Sequence, residues 1–122
     1  MSRDWRLHVQ DSIACCEAIG GYTQGLDRAA FEADRRTYDA VLRNLEVLGE
    51  AVRNVLGTIR AANPQVPWAK IVGMRNILTH AYFAVDNDIV WDVVANGAGQ
   101  LLTELRRISA RAADGGNAGG GT

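Results

Sequence analysis

The chain has 122 residues, a length that fits one domain with one core. Hydrophobic residues make up 48% of it and the formal net charge is -1, so the composition indicates a globular protein and excludes nucleic-acid binding driven by overall positive charge. No apolar run approaches the ~20 residues needed to cross a bilayer, and the first residues lack the hydrophobic core of a signal peptide. We therefore expect a cytoplasmic protein.

The first two helices follow from apolar spacing and capping residues. Apolar side chains recur every three or four residues over 4–19, which predicts a helix that the glycine pair after Ile19 should end. Within it, Cys15 and Cys16 are adjacent and point in directions about 100° apart, which disfavours a disulfide. No CxxC motif and no neighbouring histidine accompany them, which disfavours a zinc site. Asp27 is then placed to cap a short helix over 28–33.

A long amphipathic helix is predicted over 34–62, where apolar residues keep a 3.6-residue period. Gly49 and Gly57 lie inside it. Each glycine costs about 1 kcal/mol relative to alanine in a helix, so their presence indicates close helix packing at those two points. Pro64 cannot continue the helix and ends it.

Two more helices complete the prediction. One spans 68–83, and the other spans 89–112 after a turn that Asp86 or Asp88 should cap. Gly97 and Gly99 are expected to kink the last helix in its middle. The resulting fold is all-α, an antiparallel bundle of four main helices plus one short helix. It forms one helical domain over 1–112, followed by a disordered glycine-rich tail over 113–122.

Polar side chains cluster inside the otherwise apolar stretch MRNILTHAYF, residues 74–83. On a helical wheel Asn76 and His80 share one face, Arg75 and Tyr82 share another, and Arg75 and His80 lie about 140° apart. Three arrangements could bring Arg75 to His80: a long arginine side chain that bridges the arc, a helix distortion, or a second subunit that completes the site.

The same residues also permit a purely structural interpretation. Arg75 could form an ion pair with Glu50 or Asp86, and Glu50 could equally be a solvated surface charge. His80 could be a packed or surface residue, and Tyr82 could be a core residue with its hydroxyl at the surface. Spacing alone does not decide between these roles and a functional site.

The run PWAKIVGMRNILTHAYFAVDNDIVW, residues 67–91, resembles the signature region of HepT-like toxins of the HEPN superfamily. RNLEVLGEA, residues 43–51, adds to the resemblance, which covers nearly the whole chain except the glycine-rich tail. Ala81 differs from the polar or charged residue that relatives often carry between the histidine and the tyrosine.

This resemblance implies a metal-independent endoribonuclease with an R-x(4–6)-H motif, here Arg75 to His80, that acts as a homodimer without a cofactor. RNA is then the substrate, and no DNA is expected. Histidine can act as general base or acid near neutral pH, and arginine can stabilise phosphate charge. Asn76 would orient His80 or hold a phosphate, and Glu50 would fix the Arg75 fork.

The resemblance also implies a type VII toxin–antitoxin system. An MntA-like nucleotidyltransferase antitoxin would transfer AMP groups to the tyrosine of the H-x-Y motif, here Tyr82, and the added bulk and negative charge would block RNA. Two other functions stay open from the sequence: a non-catalytic HEPN module that binds a nucleotidyltransferase, and a helical dimerisation domain.

Overall fold

The computed structural model describes residues 3–120, and the side chains only as far as residue 114. The described residues are helical with no strand, which confirms the all-α prediction. Four main helical segments build the bundle and two short helices connect them. The elements are α1 (Trp5–Thr23), α2 (Arg28–Ala33), α3 (Arg35–Arg53), α4 (Gly57–Ala62), α5 (Trp68–His80), a 3₁₀ turn (Tyr82–Ala84), α6 (Asn87–Asp92), a π-helical segment (Val93–Gly97) and α7 (Ala98–Gly120).

Helix α3 lies at the centre of the bundle, with α1 packed on one side and α5 on the other, while α7 packs against α1. Helices α3 and α5 run antiparallel, since Gly49 meets Arg75 while Tyr38, at the start of α3, donates to Asn87 beyond the end of α5. Buried aliphatic side chains from all four main segments form one core, including Ile19, Val41, Val52, Val90 and Leu105.

Helix α1 is longer than predicted, because it passes through the glycine pair and ends at Thr23. Ile19 is fully buried, and the Thr23 hydroxyl donates to the Ile19 carbonyl at 2.7 Å, so burial outweighs the cost of glycine within a helix.

The turn after α1 falls at Gly25, whose φ of 78° is the left-handed conformation that favours glycine. The predicted cap at Asp27 is confirmed, since its carboxylate accepts from the Ala30 N–H at 2.8 Å.

The single helix predicted over 34–62 is wrong, because the chain breaks between α3 and α4. The Asn54 side chain donates to the Glu50 carbonyl at 2.8 Å, and its backbone N–H bonds to Ala51 at 3.1 Å. These bonds satisfy carbonyls at the end of α3. The turn also brings Val55 into the core, where it is 2% exposed.

Helix α5 is shorter than predicted, because it ends at His80 and a 3₁₀ turn holds Tyr82. The wheel that placed Arg75 and Tyr82 on one face is therefore wrong. Asp86 is the cap of α6, since its carboxylate accepts from the Asp88 N–H at 2.8 Å.

The last helical segment, over 87–120, departs from regular α-helix at the π-helical Val93–Gly97, which includes Gly97. The kink expected at Gly97 and Gly99 stays a prediction. The backbone of the segment remains helical to Gly120, so α7 ends later than the predicted 112. The disorder expected for 113–122 stays a prediction, and residues 121 and 122 lie outside the described range.

Cys15 and Cys16 are both unpaired and buried, as expected for core residues. Burial raises the pKa of the Cys16 thiol to about 12, with a smaller contribution from Cys15 beside it. None of the described helices combines the length and apolar character needed to span a membrane.

The two glycines predicted to mark close packing behave differently. A Cβ atom built on Gly49 would lie 2.1 Å from the Cβ of Arg75 and 3.1 Å from the Ile71 carbonyl oxygen, so α3 and α5 touch backbone to backbone there. Gly57 has no neighbouring atom within 4 Å of such a Cβ. The packing prediction is therefore confirmed at Gly49 and wrong at Gly57.

We expect Gly49→Ala to lower the free energy of unfolding by about 1–3 kcal/mol, because the new methyl group forces α5 away from α3. Urea unfolding of the variant measures this loss. Gly20→Ala is the matched control, since Gly20 is exposed within α1 and has open space around its Cβ position. It should stabilise the protein by about 0.5–1 kcal/mol. Equal effects of the two substitutions would contradict the close contact.

Candidate active site

Arg75 lies on the inner edge of α5, where the close approach to Gly49 fixes the base of its side chain. Its side chain is only 20% exposed. One terminal guanidinium nitrogen, Nη1, donates to the Asn76 side-chain oxygen at 3.0 Å. The other terminal nitrogen, Nη2, lies 3.1 Å from Glu50 Oε2. A guanidinium carries five N–H donors, and one of them makes the hydrogen bond described for Arg75.

Glu50 is the residue that connects Arg75 to the end of α3. Its Oε1 accepts from the Arg53 guanidinium at 3.1 Å and lies 3.4 Å from the Asn54 amide nitrogen. The Glu50 side chain is 43% exposed as a whole, yet Oε2 is fully covered and receives no hydrogen bond.

Glu50 Oε2 and Arg75 Nη2 lie within hydrogen-bonding distance of each other but do not form a hydrogen bond. The contact lacks the alignment that a hydrogen bond requires. The two charged groups still attract each other, because attraction between opposite charges depends on their separation more than on angle. The contact is therefore an ion pair that holds Arg75 without saturating it.

His80 is the last residue of α5 and is exposed to solvent. Its imidazole makes no hydrogen bond with any residue that the structure describes, and the side chains of Asn76 and Arg75 do not bond to it. Asn76 accepts from Arg75 instead. Within one chain the structure therefore joins Arg75, Asn76 and Glu50, and leaves His80 apart.

Of the two ion pairs that the sequence allows for Arg75, the structure contains the one with Glu50. Asp86 instead caps α6.

Tyr82 is 43% exposed and is presented by the 3₁₀ turn directly after α5. Its ring packs edge-on against Phe83, with 6.2 Å between the ring centroids, and Phe83 itself is fully exposed. Tyr82 also lies near Tyr38, since burial raises the pKa of Tyr38 and the proximity of Tyr82 raises it further. Tyr82 is therefore a surface residue and not part of the core.

Two residues of the site were missed in the sequence, Arg53 and Asn54. Both lie one helical turn after Glu50, at i+3 and i+4, the spacing at which side chains on a helix meet. That spacing was a usable signal. The bond from Asn54 to the Glu50 carbonyl, by contrast, depends on the end of α3, which the predicted helix over 34–62 does not contain.

The model of a ribonuclease family, described as Ribonuclease HepT-like, matches residues 13–108 of the chain. The chain belongs to this family. The matched range contains both the Glu50 region of α3 and the whole of α5, so the family covers the two helices that build the site.

Related proteins give the same picture. A Thermococcus cleftensis protein named "Probable ribonuclease HepT" is 34% identical over 108 residues, which cover 88% of this chain and 98% of that protein. A Methanocaldococcus jannaschii protein named "Putative RNase MJ0127" is 34% identical over 106 residues, 87% of this chain and 88% of that protein. No solved structure matches the chain significantly.

A double-mutant cycle with Glu50→Gln and Arg75→Gln should give a coupling energy of about 1 kcal/mol, because the pair is partly shielded from water. Urea unfolding of the two single variants and the double variant measures it. The exposed pair of Arg35 and Asp39, separated by 3.3 Å, is the control and should give about 0.3–0.5 kcal/mol. Coupling at Glu50 no larger than at this surface pair would mean that the ion pair does not fix Arg75.

Proposed function

We propose that this chain is the toxin of a type VII toxin–antitoxin system, a metal-independent HEPN endoribonuclease whose catalytic residues are Arg75, His80 and Asn76. The observation that carries the proposal is the arrangement on α5. A partly buried guanidinium is held between Asn76 and Glu50, and an exposed histidine with no competing hydrogen bond to a described residue ends the same helix. Membership in a ribonuclease family supports RNA as the substrate.

The chemistry follows from these two side chains. The 2′-oxygen of the RNA attacks its own phosphorus, and the bond from phosphorus to the 5′-oxygen breaks. The products are a 2′,3′-cyclic phosphate and a 5′-hydroxyl. His80 accepts the proton of the 2′-hydroxyl or supplies one to the departing 5′-oxygen. The Arg75 fork stabilises the charge that grows on the phosphate oxygens. DNA is not cleaved, since it lacks the 2′-hydroxyl.

Glu50 is a positioning residue in this scheme, while Asn76 both holds Arg75 and binds phosphate. Asn76 accepts a hydrogen bond from one arm of Arg75, and Glu50 holds the other arm by charge. A guanidinium fixed in this way loses less conformational entropy when it binds phosphate. Asn76 keeps its amide N–H groups for a phosphate oxygen.

A homodimer completes the site in this proposal, because one chain does not join Arg75 to His80 by any described hydrogen bond. Exposed apolar side chains around the end of α5 support a second copy at this surface. They are Ile77, Phe83 and Ile89. Burying them against another subunit would remove apolar area from water, and would bring the two copies of the motif together.

Purified protein should cleave RNA equally well with and without a chelator, and the product should carry a 2′,3′-cyclic phosphate. His80→Ala should reduce the rate about 10²–10⁴-fold through loss of proton transfer. Arg75→Ala should reduce it about 10²–10³-fold. The matched control is His8→Ala, which removes the chain's other histidine, half-buried in α1, and should leave the rate unchanged. Wild-type-like cleavage by the His80 variant would exclude the mechanism.

Tyr82 is the regulatory residue of the proposal. An MntA-like nucleotidyltransferase antitoxin transfers AMP from ATP to its hydroxyl, with release of pyrophosphate, and so neutralises the toxin. The ring is partly exposed on the turn that follows His80. An attached AMP adds negative charge beside a site that binds phosphate, and therefore repels RNA.

Co-expression with a nucleotidyltransferase of this type should add the mass of one or more AMP groups to the protein, and peptide mass spectrometry should place them on Tyr82. Tyr82→Phe should abolish the mass shift and leave the RNase active in the presence of the antitoxin. Tyr22→Phe is the control, since Tyr22 is 49% exposed and Tyr82 43%. A mass shift that survives Tyr82→Phe would place the modification elsewhere.

A further inference from the structure

An open groove of about 670 Å³ lies between the start of α1 and the corner that joins α3 to α4. Arginine provides most of its charge, from Arg3 and Arg6 at the start of α1 and from Arg53 at the end of α3. Asp4 is the carboxylate among the described lining residues. The described lining residues thus carry three guanidinium groups and one carboxylate, while Asp11 and Glu50, which pair with two of the arginines, are not among the lining residues.

The groove also has an aromatic wall. Trp5 lines it, and the guanidinium of Arg6 lies over the Trp5 ring, 5.2 Å from the centroid. Trp5 is partly buried, and arginine beside an aromatic ring with an open edge is the kind of surface that stacks unpaired bases while it binds their phosphates. This combination favours a single-stranded nucleic acid over a simple anion.

The three arginines of the groove are held only by exposed carboxylates. Arg3 pairs with Asp11, Arg6 pairs with Asp4 at 3.3 Å, and Arg53 pairs with Glu50 at 3.1 Å. Exposed ion pairs of this kind contribute little to stability. A phosphate group can therefore take over each guanidinium at low cost.

Glu50 makes the groove continuous with the candidate active site. Its Oε1 accepts from Arg53, which lines the groove, and its Oε2 lies beside Arg75. The two arginines are thus neighbours on opposite oxygens of one carboxylate. An RNA strand whose phosphate lies at Arg75 has its next nucleotides within reach of Arg53 and the groove.

We propose that this groove binds the single-stranded RNA that flanks the cleaved phosphate, with Arg3, Arg6 and Arg53 on successive phosphates and Trp5 against a base. The inference rests on the proposed ribonuclease function, and it adds a substrate-binding surface outside the R-x(4)-H helix. It also gives Arg53 two partners, Glu50 without RNA and a phosphate with RNA.

The test measures binding of a fluorescent oligouridine of about 12 nucleotides to the full-length His80→Ala protein over a range of salt concentrations. Arg3→Gln and Arg6→Gln should each weaken binding about threefold to tenfold, and should each reduce the slope of log affinity against log salt by about 0.7. Arg6→Lys, which keeps the charge, should retain the slope.

Arg35→Gln is the matched control. Like Arg6, Arg35 is exposed, forms an ion pair at 3.3 Å and lies 5.2 Å from the centroid of an aromatic ring, that of Tyr38. It lies at the opposite end of α3 from Arg53, about 27 Å along the helix axis. An equal loss with Arg35→Gln, or unchanged binding in both groove variants, would overturn the groove as the RNA site.

The outcome separates this inference from the proposed function. If the wild-type protein cleaves no RNA while oligouridine binding still depends on Arg6, the groove stands and the ribonuclease proposal falls. If cleavage depends on His80 while the groove variants bind oligouridine as tightly as their parent, the ribonuclease proposal stands and the groove inference falls.

Discussion

The contact between Gly49 and Arg75 is the constraint on which the site depends. Helices α3 and α5 approach so closely there that a side chain on Gly49 would overlap the Arg75 Cβ. Close-packed interiors transmit such constraints because they leave no room for adjustment. The result is that the start of the Arg75 side chain is fixed by the backbone of another helix, and its guanidinium emerges beside the carboxylate of the next residue, Glu50.

Glu50 extends that constraint to a second arginine. Its carboxylate lies between Arg75 and Arg53, and the Asn54 amide is 3.4 Å from the same oxygen that binds Arg53. The break after α3 matters for this reason. Asn54 can bond to the last turn of α3 because the helix stops there, so the corner that ends the helix also shapes the charge around the site.

The end of α5 is exposed to solvent, whereas the region around Arg75 is closely packed. His80 is exposed, Phe83 is fully exposed, and the chain leaves the helix at Ala81. A site that is rigid at its arginine and open at its histidine suits a reaction in which phosphate is held firmly while a proton moves. Exposed apolar side chains also lie close to the histidine in the sequence, at Ile77 and Phe83.

The sequence by itself determined the helical class, the four main helical segments and the polar residues that α5 contributes to the candidate site. Apolar periodicity is local information, and caps such as Asp27 and Asp86 need only their nearest neighbours along the chain. The family could likewise be identified from the residues around Arg75 and His80. Helix ends were less predictable, because burial of Ile19 and Val55 depends on contacts from distant segments.

Only the tertiary structure decided which polar groups meet. The separation of Arg75 and His80 on the helix was visible in the sequence, but the choice between Glu50 and Asp86 as the partner of Arg75 was not. The pairing with Glu50 requires the register of α3 against α5, which the space at Gly49 sets. The groove beside Arg53 requires the start of α1 to lie at the corner after α3. Both depend on packing between segments far apart in the chain, which local periodicity does not encode.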